Sequence, residues 1–113
     1  MLKVCKFGGS SLADANQVRK VCDIVLADAA RRVVVVSAPG KRGKGDTKVT
    51  DLLIACADKA LAGAPCEAEL QAVIDRYAEI QRALGLPPAV TETIAGDLRR
   101  RAAAPRDHAG MFR

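Results

Sequence analysis

A lysine, two adjacent glycines and two serines stand together in Lys6-Phe7-Gly8-Gly9-Ser10-Ser11, a run suited to gripping an anion. Glycines without a Cβ let the backbone come close to an oxyanion. The amide N–H groups of such a turn, and of a helix that starts just after it, can point at phosphate oxygens. Lys6 adds a compact positive charge that can follow a phosphoryl group in transfer, and the serines add hydroxyl donors. An ordinary glycine-rich turn with a surface lysine has the same spelling, and the turn alone does not separate the two readings. The run matches neither the Walker A pattern nor G-x-G-x-x-G, so neither of those nucleotide folds is implied.

A second loop with chemical potential is Ser37-Ala38-Pro39-Gly40, which follows the apolar run Val33-Val34-Val35-Val36. Ligands of open α/β sheets bind beyond the carboxyl ends of the strands. Both loops leave such ends and are expected to be neighbours. Thr50 could offer a hydroxyl and a backbone N–H to a carboxylate, although a plain residue at a helix terminus would look the same. No metal site is read. The four cysteines, Cys5, Cys22, Cys56 and Cys66, form no C-x-x-C pair, and His108 is the single imidazole. Cys5 and Cys22 lie among apolar residues and read as small buried hydrophobes.

The elements that must position these loops follow from pattern. Leu2 to Phe7 is short, apolar and β-leaning. Asp14 followed by Gln17 resembles a capping box. Val18, Val21, Cys22 and Val25 then recur at helical spacing, predicting an amphipathic helix to about Ala30. The β-branched run 33–36 lacks polar alternation and reads as a strand buried on both faces. Strand, helix and strand make a βαβ unit, expected to cross over with the right hand. The loop Lys41 to Asp46 has no apolar anchor and reads as mobile. Asp46 or Thr47 could cap a helix carrying Leu53, Ala57 and Leu61, with Gly63 as its stop. Leu70, Val73, Ile74, Tyr77, Ile80 and Leu84 form the stripe of a helix from Glu67, closed by Gly85 and Pro87-Pro88. A final helix carries Val90, Ile94 and Leu98, and the tail from Ala102 to Arg113 is expected to fray.

The chain has 113 residues, the length of one domain, with no repeat and no linker long enough to split it. Half of its residues are apolar but there is no Trp, so the core must rest on Ala, Val, Leu and Ile. The formal net charge of +5 invites a nucleic-acid reading. Charges scattered over helical faces and a dearth of stacking aromatics argue against it. No run is long enough for a signal peptide or a membrane span, and the thiols suit a reducing compartment, so a cytoplasmic protein with no membrane partner is expected.

Three segments together resemble the aspartate kinases. Lys3 to Leu12 resembles their V-x-K-F-G-G-(S/T)-S opening, Val33 to Gly40 their V-V-x-S-A segment, and Val49-Thr50-Asp51-Leu52-Leu53 their V/I-T-(D/N)-x-L element. The resemblance covers about Met1 to Ala60 strongly and the later helices in character. It implies an amino-acid-kinase-like (carbamate-kinase-like) three-layer αβα fold. It further implies transfer of the γ-phosphoryl group of ATP, taken with Mg2+ as a substrate complex, to the side-chain carboxylate of L-aspartate. The product, 4-phospho-L-aspartate, leads to lysine, threonine, methionine and diaminopimelate. By motif match, Lys6 binds ATP phosphates and stabilises the transition state, while Phe7, Gly8, Gly9 and Ser10 shape the phosphate cradle. Ser37 sits near the phosphoryl path, Thr50 contacts aspartate, and the family member is expected to be a homo-oligomer.

The family's later R-G-E element is not found, and the chain reaches Asp107 to Arg113 about where it would stand. The expectation is therefore an incomplete fold, a βαβ unit followed by a helical segment, spanning 1–113 as the N-terminal portion of the catalytic domain without regulatory ACT domains. A parallel pair of strands alone is not independently stable, and this chain alone is expected to be inactive. The alternatives are a glutamate or acetylglutamate kinase, similar in fold, and a non-catalytic nucleotide-binding remnant.

Overall fold

The first apolar run forms strand β1 (Lys3–Phe7), and the valine run forms β2 (Arg31–Val36). They pair in parallel, with Val4 opposite Val33 and Phe7 opposite Val36, after a register irregularity between Lys3 and Val4. Between them come a 3-10 turn (Gly9–Leu12) and helix α1 (Ala15–Leu26). Helices α2 (Val49–Leu61), α3 (Glu67–Ala83) and α4 (Ala89–Ala102) follow. This computed structural model describes residues 1–103, so the rest of the tail expected to fray lies outside the described residues. The βαβ unit followed by helices is consistent with an incomplete three-layer αβα fold. No helix of the described residues is long and apolar enough to cross a membrane.

The structure divides into two compact units, Met1–Thr50 and Asp51–Arg113. Helix α2 runs through the boundary, so no linker marks it in the sequence. In the first unit α1 packs on β2 and on the 3-10 turn. Asp14 caps α1 as expected, its carboxylate accepting from the Gln17 amide at 3.0 Å. The helix ends at Leu26 rather than near Ala30, because Asp28 starts a turn there. Its carboxylate accepts from the Ala30 amide at 2.9 Å and from Lys3 Nζ at 2.6 Å. The Lys3 bond holds the Asp28 carboxyl below its ordinary range.

Two readings of burial are corrected. Val33 to Val36 keep between 40% and 57% of their surface exposed, although their spelling is that of a doubly buried strand. The cause is topological: among the described residues β2 has one strand neighbour, β1. Cys22 is exposed and Cys5 half-buried, since the buried line of α1 runs through Ala15 and Val21.

The second unit has a core of Cys56, Leu70, Ile74 and Ala95, with Cys66 and Leu98 packed against it. Helix α3 follows its stripe, with Leu70, Val73 and Ile74 buried and Tyr77, Ile80 and Leu84 half-buried. Helix α4 keeps Leu98 against the core and Ile94 half-buried as expected, and its face is turned at its N-terminal end. Thr91 and Ala95 are its buried residues and Val90 is exposed. The turn is fixed by polar chemistry, because Thr91 Oγ1 donates to Gln81 Oε1 at 3.0 Å and Gln81 Nε2 donates to the Leu86 carbonyl at 2.7 Å. Both expected glycine stops are present. Gly63 (φ 75°) and Gly85 (φ 71°) close their helices in Schellman geometry, with Ala64 N donating to Lys59 O and Leu86 N to Gln81 O.

Thiol reactivity tests this arrangement. Burial, reinforced by a hydrogen bond with Cys66, pushes the Cys56 thiol up to about 12, and its side chain is fully enclosed. Timed maleimide labelling read by peptide mass is expected to modify Cys22 first and Cys56 last. Equal rates at the two would contradict the packing of α2 on α3.

Candidate functional site

The two loops singled out in the sequence meet at backbone level. β1 and β2 are adjacent and parallel, so the chain leaves both at the same end of the sheet. The ladder continues one step past the strands, where Ser37 N donates to Phe7 O at 3.2 Å. Gly40 N then donates to Gly9 O at 2.8 Å. The approach is close. A Cβ on Gly9 would lie 3.0 Å from the Ala38 carbonyl oxygen, and one on Gly40 would lie 2.7 Å from the Gly9 carbonyl carbon.

Lys6 is exposed at the end of β1, opposite Val35, with half-buried Phe7 beside it. Gly8 is extended (φ −77°, ψ 175°), and a Cβ there would meet no atom within 4 Å. The fold therefore leaves open space above Gly8, as an incoming oxyanion requires. Ser11 N donates to Gly8 O at 3.1 Å and tightens the turn. Ser37 is exposed, and buried Pro39 follows it. Thr50, exposed in the first turn of α2, is tied to the second loop through its neighbour. Val49 is fully buried and its amide donates to Pro39 O at 3.0 Å. Lys6, Phe7, Gly8, Gly9, Ser10 and Ser37 thus form one surface at the strand ends, with Thr50 attached to its rim by backbone.

The loop expected to be mobile is tied by polar contacts that an apolar pattern does not reveal. The Asp46 carboxylate accepts from the Arg42 backbone amide at 2.8 Å, from its Nε at 2.8 Å and from its Nη2 at 2.9 Å. Such a bidentate, charge-assisted arrangement fixes orientation as well as distance. Helix α2 then begins at Val49, three residues after Asp46. Lys41, Lys44 and Lys48 stand exposed on the same loop, so the second loop brings positive charge. An arginine four residues before an aspartate, across glycines, was the available signal for this clamp.

Chemically, the surface offers backbone amides, hydroxyls and ammonium groups, which suits a phosphate chain. Among the described residues no group of three or more His, Cys, Asp or Glu could hold a metal ion. A cavity of about 460 Å³ in the second unit, lined by residues such as Pro65, Cys66, Glu67, Leu70 and Arg99, includes none of these side chains. The glycine turn is an open cradle, so its chemistry rather than its enclosure marks it.

Comparison with known proteins bears on the same residues. The sequence profile of the amino acid kinase family matches residues 1–109. Aspartokinase 3 of Bacillus subtilis (strain 168) is 54% identical over 97 residues, which cover 86% of this chain and 21% of that protein. Lysine-sensitive aspartokinase 3 of Escherichia coli (strain K12) is 36% identical over 91 residues, covering 80% and 18%. The chain spans about a fifth of the length of these relatives. Among solved structures, Clostridium acetobutylicum aspartate kinase superposes with a TM-score of 0.83 at 38% identity, over 95% of this chain and 25% of that one. Escherichia coli aspartokinase III in complex with aspartate and ADP superposes with a TM-score of 0.67 at 28% identity, over 99% and 23%.

Proposed function

We propose, because the chain belongs to the amino acid kinase family, that it carries the phosphate-gripping part of an aspartate kinase. The observation that carries this reading is the backbone contact between Gly9 and Gly40, which joins the two motif-bearing loops into one surface. The similar Escherichia coli enzyme was solved with aspartate and ADP, the acceptor and the spent donor of such a reaction.

In this reading Lys6 reaches the β- and γ-phosphates of ATP, and Phe7, Gly8, Gly9 and Ser10 form the cradle. Ser37 lies beside the phosphoryl path and Thr50 receives a carboxylate of L-aspartate. A side-chain carboxylate oxygen of aspartate attacks the γ-phosphorus, the bond to the β,γ-bridging oxygen breaks, and ADP leaves with the electron pair. The protein's part is positioning and charge stabilisation. Magnesium enters as part of the nucleotide substrate. A cytoplasmic homo-oligomer working on these two small molecules belongs to the same proposal, as does a place at the head of lysine, threonine and methionine synthesis.

The test is a chimera in which this chain replaces the matching segment of the Bacillus subtilis relative. With MgATP and hydroxylamine it should form the hydroxamate of aspartate, and not that of glutamate or N-acetylglutamate. The unfused chain should form none, because its cradle lies open on an exposed two-stranded sheet. A folded chimera that fails with aspartate, or prefers glutamate, would overturn the assignment.

A further inference from the structure

Glycine at position 40 is required for space, not for conformation. The described residues with positive φ are Gly45, Gly63 and Gly85, so the backbone at Gly40 is open to any L-residue. What excludes a side chain is the first loop. A Cβ on residue 40 would stand 2.7 Å from Gly9 C, 2.9 Å from Gly9 O and 2.9 Å from Ser10 N. Those three atoms are one peptide group, and the Cβ would press on its face. Because the obstacle is backbone, no rotamer relieves it.

The same peptide group has a second constraint. A trans peptide is planar, with its carbonyl and its N–H pointing to opposite sides. The Gly40 amide holds the Gly9 carbonyl at 2.8 Å. Fixing that carbonyl fixes the direction of the Ser10 N–H, which points the opposite way. Gly40 therefore sets the aim of an amide in the cradle without being part of it.

One side of this contact yields more easily than the other. Pro39 and Gly40 are buried, and the Pro39 carbonyl is bonded to the amide of fully buried Val49. On the opposite side the turn is exposed at Gly8 and Ser10. A side chain at position 40 would displace the turn and leave its own loop in place. We propose that Gly40 is a positioning residue for the phosphate cradle, holding the Gly9–Ser10 peptide in the orientation that ATP requires. The proposal rests on the aspartate kinase reading given above.

The experiment compares Gly40→Ala, Gly43→Ala and Lys6→Ala in the chimera. A Cβ on Gly43 would meet nothing within 4 Å, so that variant controls for loop stiffness. Gly40→Ala should lower kcat/KM for ATP by about a hundredfold, the cost of a misplacement of about an ångström. The KM for aspartate should move several-fold less, a split that general loss of structure would not produce, and Gly43→Ala should match the parent. Wild-type kinetics in Gly40→Ala, with Lys6→Ala impaired, would overturn the positioning role and leave the kinase reading standing. If neither variant has an effect, both fall. Should Gly40→Ala fail to fold, amide exchange in the unaltered chimera decides. The Gly40 amide should exchange well below its intrinsic rate, and free exchange would overturn the proposal.

Discussion

Lys6→Ala in the chimera is expected to lower turnover by about 10²–10³, with a smaller change in the KM for ATP. Lys6 lies where β1 meets the glycine turn, exposed and next to the open space above Gly8. If its ammonium meets charge that grows on the γ-phosphoryl oxygens, the contact is stronger in the transition state than in the ground state. Its loss then falls on kcat and amounts to about 3–4 kcal/mol. Lys6→Arg should recover little, because a planar fork does not stand in for a compact point charge. Thr50→Val provides the contrast, raising the KM for aspartate and leaving that for ATP nearly unchanged. Near wild-type turnover in Lys6→Ala would make it a surface lysine beside an ordinary turn.

Leu70→Ala should destabilise the helical unit by about 2–5 kcal/mol. Leu70 is 2% exposed and lies in one cluster with Cys56, Ile74 and Ala95, drawn from α2, α3 and α4. Truncation loses transfer free energy and leaves a cavity between three helices, which can collapse only in part. Val90→Ala on α4, where the side chain is 42% exposed, should stay within about 0.5 kcal/mol of the parent. Urea unfolding of the chain, followed by helical circular dichroism, measures both. Equal small losses would mean that the unit is not packed as described.

Local signals carried most of the secondary structure into the sequence. Asp14, Gly63 and Gly85 each satisfy or close a helix end through their own side chain or φ, and such effects are written in a few neighbouring residues. The stripe of α3 was legible for the same reason. The exposure of Val33 to Val36 was not, because burial of a strand depends on how many partners it finds, which its own letters do not state. The Arg42–Asp46 clamp was not legible either, because it joins two charged side chains that an apolar pattern passes over. The turned N-terminal end of α4 depends on the Gln81–Thr91 bond, a tertiary contact between polar residues that the same pattern passes over.

At the site, the motif letters located the turn, the second loop and Thr50. Their meeting followed from parallel pairing of β1 and β2. The role of Gly40 was hidden. A glycine with ordinary φ gives no sign in sequence that its missing Cβ accommodates another loop's backbone.

Hydrogen exchange of the chimera with and without MgATP, read by peptide mass, tests the phosphate cradle most directly. Slowed exchange should concentrate in peptides spanning Lys6 to Leu12 and Ser37 to Thr50, with those of α3 and α4 unchanged. Slowing that leaves Gly8, Gly9 and Ser10 untouched while MgATP is bound would contradict the assignment of this turn as the phosphate site.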